Sequence, residues 1–73
     1  MPRKIRELKA DLRRAGYQEV RRRGKGSHSW WQHPLVAEPV SMAGQDGDDA
    51  HPYQERAVRD ALRRAREAEE RRQ

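Results

Sequence analysis

Ile5, Leu8, Leu12 and Ala15 recur at three- and four-residue steps, and Gly16 follows them. That spacing is one face of an α-helix. Arg3 to Arg14 is therefore expected to be a helix with a basic opposite face. Gly16 supplies the stop, because glycine takes the left-handed conformation after a last turn at little cost. The stripe needs apolar cover, and the chain offers little. Its other large aliphatics are Val20, Leu35, Val36, Val40, Val58 and Leu62, and it has no Phe. With 73 residues, 40% of them charged, it lies near the border between folded and disordered chains. A chain this short buries only about 60% of its unfolded surface. Clean periodicity, and the aromatics Tyr17, Trp30, Trp31 and Tyr53, favour a single folded domain over residues 1–73, frayed beyond about 69.

Tyr17 to Arg23 reads as a first strand. Tyr17 and Val20 are out of two-residue phase, which implies a bulge or a late start. Gly24-Lys25-Gly26 is a turn signal joining it to a second strand, Ser27 to His33, as a hairpin. Alternation places His28 and Trp30 on one face, and Ser29, Trp31 and His33 on the other. Val36 to Met42 is a third strand, with Val36, Glu38, Val40 and Met42 in one phase and Pro39 marking an edge. Gly44 to Ala50 is a polar loop. Pro52 opens a second helix that runs to about Glu69 on a stripe of Ala57, Val58, Ala61, Leu62 and Ala65, with Glu67 paired to Arg71. The order helix, three strands, helix gives a two-layer α+β fold with both helices on one face of an antiparallel sheet. That is the order of double-stranded-RNA-binding-like domains.

Charge is unevenly spread. Residues 1–34 carry ten Lys/Arg against three acids, and residues 35–73 carry seven against nine. The run Arg21-Arg22-Arg23-Gly24-Lys25 points to a polyanion partner. The absence of cysteine removes disulfides, thiolate metal sites and a Cys nucleophile. No apolar run approaches the roughly 20 residues of a membrane span. Met1 to Arg6 lacks the hydrophobic stretch of a signal peptide, so the cytoplasm is the default location.

Lys25-Gly26-Ser27-His28 concentrates the chemistry. Glycines let backbone N–H groups approach a phosphate, and Arg21, Arg22, Arg23 and Lys25 neutralise its charge. An imidazole exchanges protons near neutral pH. RNA brings its own nucleophile, the 2′-hydroxyl, so a ribonuclease without metal or other cofactor needs a base, cations and a proton donor. His28 fits the first role and, by turns, the third. A histidine beside a glycine turn also serves as an ordinary hydrogen-bonded strand residue, and chemistry alone leaves both roles open. Alternation puts one of Trp30 and Trp31 in the core and the other outside, and Trp30, sharing a face with His28, suits base stacking or partner contact. His33, before Pro34, suits a structural role and cannot share a metal with His28 on the opposite face. Asp46, Asp48 and Asp49 resemble a calcium loop only superficially, because Ala57 stands where the closing glutamate belongs. Negative charge ahead of the second helix is the simpler explanation.

Gly26-Ser27-His28-x-x-Trp31-x-His33-Pro34, following Arg14-Ala15-Gly16-Tyr17, resembles the HicA toxins of HicA–HicB toxin–antitoxin pairs. The stretch from Gly44 through Pro52-Tyr53 into a Val/Leu helix resembles one branch of that family. The resemblance implies a double-stranded-RNA-binding-like fold, ribosome-independent cleavage of mRNA, and inhibition by a HicB-like antitoxin that covers the site. It maps the family's catalytic histidine onto His28 and the family's usual aromatic onto Trp31, which implies that Trp31 is the core tryptophan. Two departures stand out: Lys25 is an addition between Gly24 and Gly26, and Ala43-Gly44-Gln45 holds no histidine where many members have a second one. Two rival readings accompany this one. One is a non-catalytic RNA-binding module of the same fold. The other is a small protein-interaction subunit, suggested by the acidic loop and the charged second helix.

Overall fold

The computed structural model describes residues 2–20 and 28–72. Its elements are α1 (Ile5–Arg14), β1 (Gln18–Val20), β2 (Ser29–His33), β3 (Val36–Met42) and α2 (Pro52–Arg72). The strands form an antiparallel sheet in the order β1-β2-β3. This is the expected α+β arrangement, with β3 and its Pro39 at an edge. The Gly24-Lys25-Gly26 turn and the C-terminal part of the expected first strand lie outside the described residues.

The helix stop works as the glycine predicts. Gly16 has φ +103°. Its N–H donates to the Arg13 carbonyl at 3.0 Å, and the Tyr17 N–H donates to the Leu12 carbonyl at 3.0 Å. These are the two bonds of a Schellman motif, and they satisfy carbonyls that the helix end would otherwise leave open. A Cβ on Gly16 would also sit 2.9 Å from His33 Nε2. Gly16→Ala is therefore expected to cost about 2 kcal/mol through backbone strain alone, and more through the displaced imidazole. That lowers the unfolding midpoint by about 8–16 °C. Thermal unfolding followed by circular dichroism checks it, and an unchanged midpoint would show that the turn tolerates a side chain.

One core cluster joins both helices to the inner sheet face. Ile5, Leu8 and Leu12 meet Tyr17, Trp31, Val40, Met42, Val58, Ala61 and Ala65. The small α2 residues allow close approach, and the Tyr17 hydroxyl donates to the Ala61 carbonyl at 3.0 Å. Burial pushes the Tyr17 phenol above its usual range, which keeps it a neutral donor.

Three details differ from expectation. The α2 stripe is Gln54, Val58, Ala61, Ala65 and Ala68, with Ala57 exposed and Leu62 only partly covered, and the helix continues to Arg72. Gln54 belongs to the stripe because it caps the helix. Its Oε1 accepts from the His51 N–H at 2.8 Å, and its Nε2 donates to the Ala43 carbonyl at 2.9 Å. Glu67 faces Arg63, 3.9 Å away, not Arg71. Glu38 shares the inward phase of β3 yet is exposed, where the β2–β3 register shifts between Trp31 and His33.

The acidic loop, expected to place negative charge ahead of α2, also caps α1. The Ile5 and Arg6 N–H groups donate to the Asp48 and Asp46 carbonyls at 2.9 and 3.1 Å, and Ala50 N–H donates to the Arg3 carbonyl at 2.7 Å. The first turn of α1 has no cap-forming side chain ahead of it, because Lys4 is the N-cap residue. The loop backbone supplies the missing acceptors. Glu7 adds one more, accepting from the Lys4 N–H at 3.0 Å.

Candidate nucleic-acid interface

The central strand sorts the sequence-predicted residues. Along β2, Ser29, Trp31 and His33 are buried, while Trp30 and Gln32 are exposed. His28 immediately precedes the strand and is exposed. Both helices pack on the inner face, so the outer face carries Trp30, 48% exposed, with His28 one strand repeat before it. The remaining predicted site residues, Arg21, Arg22, Arg23, Lys25, Gly26 and Ser27, lie outside the described residues.

Trp31 is fully buried, and its indole N–H donates to Ser29 Oγ at 3.0 Å. A buried indole needs such a partner. The Arg13 guanidinium lies 5.1 Å from the Trp31 ring centroid, within cation–π range. Trp30 and Trp31 thus part as alternation requires, one outward and one into the core.

The three histidines have different surroundings. His33 is buried, and both ring nitrogens are used. The Leu35 N–H donates to Nδ1 at 3.0 Å, and Nε2 lies 3.1 Å from the Ala15 carbonyl. A carbonyl only accepts, so Nε2 acts as the donor to it, while Nδ1 accepts from Leu35. The ring also meets Tyr17 edge-on, with centroids 5.1 Å apart. His33 therefore ties the α1–β1 turn to the β2–β3 turn. His51 stacks on Tyr53 ahead of α2, with centroids 5.8 Å apart. Only His28 lies next in sequence to the segment of arginines, lysine and glycines.

The basic N-terminal half is less uniform than its sequence suggests. Arg3 and Arg14 both reach Asp11, Lys4 meets Asp49 at 2.6 Å, and Lys9 meets Asp46 at 2.8 Å. The bond from Lys9 holds the Asp46 carboxyl below its usual range. Much of the α1 charge is thus compensated within the fold. A shallow groove of about 130 Å³ lies between β3 and the C-terminal half of α2, lined by Leu35, Val36, Glu38, Arg64 and Glu67 among others. It contains none of the sequence-predicted site residues. Sequence reasoning also passed over Gln32 and Ser41, which the strand register brings beside Trp30: Ser41 is its cross-strand partner, and Gln32 follows it by one repeat.

The family model described as HicA toxin of bacterial toxin-antitoxin matches residues 5–67, nearly the whole chain. The chain belongs to the HicA toxin family. No curated protein and no solved structure matches it. Membership makes a cognate antitoxin the natural partner. The matched span runs from the first residue of α1 into the last third of α2, so it contains the entire sheet and His28. Among the described residues, no helix is long and apolar enough to cross a membrane. Nor do three His, Asp or Glu side chains converge there as metal ligands.

Proposed function

We propose that this HicA-family chain is an endoribonuclease that cleaves mRNA in the cytoplasm, with His28 as general base and acid. A HicB-like antitoxin neutralises it by covering the same face. The observation that carries this reading is the separation of the histidines. His33 has both ring nitrogens engaged in holding two turns. His28 is exposed at the head of the central strand, directly after Lys25-Gly26-Ser27.

In the proposed reaction, His28 takes the proton of the RNA 2′-hydroxyl. The 2′-oxygen forms a bond to the adjacent phosphorus as the bond from phosphorus to the 5′-oxygen breaks. The leaving 5′-oxygen receives a proton from the imidazolium. The products are one end bearing a 2′,3′-cyclic phosphate and one bearing a 5′-hydroxyl. Metal is not required, because the nucleophile is part of the substrate and the charge can be met by Arg21, Arg22, Arg23 and Lys25. Gly26 and Ser27 would present backbone N–H groups to the phosphate.

The experiment is end-group analysis of RNA incubated with the purified chain in the presence of a chelator. Cyclic phosphate ends are the expected result. Steep salt-dependent binding without cut products would instead establish a non-catalytic RNA-binding module. That alternative draws on the missing histidine at Ala43-Gly44-Gln45, which leaves His28 without a second proton-transfer partner of that type.

A further inference from the structure

We infer that the outer sheet face holds a subsite for one unpaired RNA base next to the cut, with Trp30 as its stacking platform and Gln32 and Ser41 as readers of the base edge. The inference rests on the nuclease reading above and adds to it a determinant of sequence preference.

Three observations converge on it. First, Trp30 stands 48% exposed at the middle of the central strand, and neither helix covers that face. Its cross-strand partners are Val20 on one side and Ser41 on the other, with side chains about 5 Å away in such pairs. Gln32 follows in the same phase, roughly 7 Å along the strand, and itself pairs with Gln18. Second, these neighbours are exposed hydrogen-bonding groups, Gln18, Gln32 and Ser41, with the one aliphatic, Val20, half-buried. An amide and a hydroxyl can each donate and accept, which suits a base edge. Third, the electrostatics suit a polyanion. Among the described strand residues, Glu19 pairs with the inward Trp31, and the partners of Trp30 and Gln32, which are Val20, Ser41 and Gln18, carry no carboxylate. Val20, the partner of Trp30, is followed in the chain by Arg21-Arg22-Arg23.

His28 precedes Trp30 by one strand repeat. A base stacked on Trp30 therefore belongs to a nucleotide adjoining the phosphate at His28. Reading that base would bias where the chain cuts.

The test uses the full chain and a single-stranded RNA pool with a randomised stretch, with cut ends mapped by sequencing. Wild type is expected to enrich one base beside the cut, and Gln32→Ala and Ser41→Ala are expected to flatten that bias. Binding of short RNA is measured in a His28→Gln background, which keeps the probe intact. There, Trp30→Ala should weaken affinity about 5- to 150-fold and Trp30→Phe much less, because a phenyl ring still stacks. Emission from the remaining buried Trp31 reports whether Trp30→Ala folds. If it does not fold, the exposed Gln32→Ala variant carries the test.

If wild type makes no cuts, the nuclease reading fails, and the binding arm alone decides the subsite. If wild type cuts while Trp30→Ala and Gln32→Ala change neither bias nor affinity, the subsite is wrong and the nuclease stands. Loss of antitoxin binding in Trp30→Ala, with RNA cutting and affinity intact, would assign the face to a protein partner and overturn the inference.

Discussion

Trp31→Ala is expected to unfold much of the population at physiological temperature. Trp31 is the largest of the fully buried side chains, and the core cluster that it belongs to includes the small Ala50, Ala61 and Ala65. Alanine there leaves a cavity that short side chains cannot close, and such truncations cost about 3–5 kcal/mol. A chain of 73 residues has a total stability on the order of 4–11 kcal/mol. The loss also removes the donor to Ser29 Oγ and the ring beneath the Arg13 guanidinium. Calorimetry or circular dichroism should show a midpoint about 12–40 °C lower. A fall of less than about 4 °C would contradict the core assignment. The matched Trp30→Ala variant removes an exposed ring and should shift the midpoint by far less, so adjacent tryptophans should differ sharply in the same assay.

That contrast was legible in the sequence. Alternation through Ser29-Trp30-Trp31-Gln32-His33 allows one tryptophan inside, and the strand realises it residue by residue. The α1 stripe and its stop were equally legible, because periodicity and a glycine are local signals. The α2 stripe was legible only in part. Ala57 and Ala61 have the same side chain, and the sequence offers no means of choosing between them. The helix rotates to bury Val58, and Gln54 then falls in line because its amide caps the N-terminus. A Gln at the third helical position was the available signal.

The acidic loop was legible as a loop, but its capping role was not. Its carbonyls cap a helix about forty residues earlier in the chain, through backbone atoms that carry no side-chain signature. The same contact revises the electrostatics. Lys4 and Lys9 are engaged by Asp49 and Asp46, so a net-charge count over residues 1–34 overstates the charge that α1 can offer to RNA. Exposed ion pairs of this kind contribute little stability each. Their larger effect is on where a polyanion can bind, and they shift the expected phosphate contacts toward Arg21-Arg22-Arg23 and Lys25.

His28→Ala is expected to abolish toxicity while leaving the fold intact. Removing a general acid–base group typically costs about 10²–10⁴ in rate, measured as single-turnover RNA cleavage and as growth arrest without antitoxin. His28 is exposed and precedes β2, so its truncation should alter stability by no more than about 0.5 kcal/mol. His28→Gln sharpens the result. It keeps a polar side chain able to hydrogen-bond and loses proton transfer, so it should be as inactive as alanine. If glutamine retains most of the rate, His28 binds substrate but moves no proton. His33→Ala supplies the contrast. It leaves the Ala15 carbonyl and the Leu35 N–H without their imidazole partner, at about 1–3 kcal/mol for each group that stays buried. Its activity should fall in proportion to the unfolded fraction and return on cooling or with a stabilising osmolyte. His28→Ala should respond to neither. If both variants lose activity in step with stability, His28 is part of the scaffold. If only His33→Ala does, the two histidines divide as their burial indicates, one holding the turns and the other performing the chemistry.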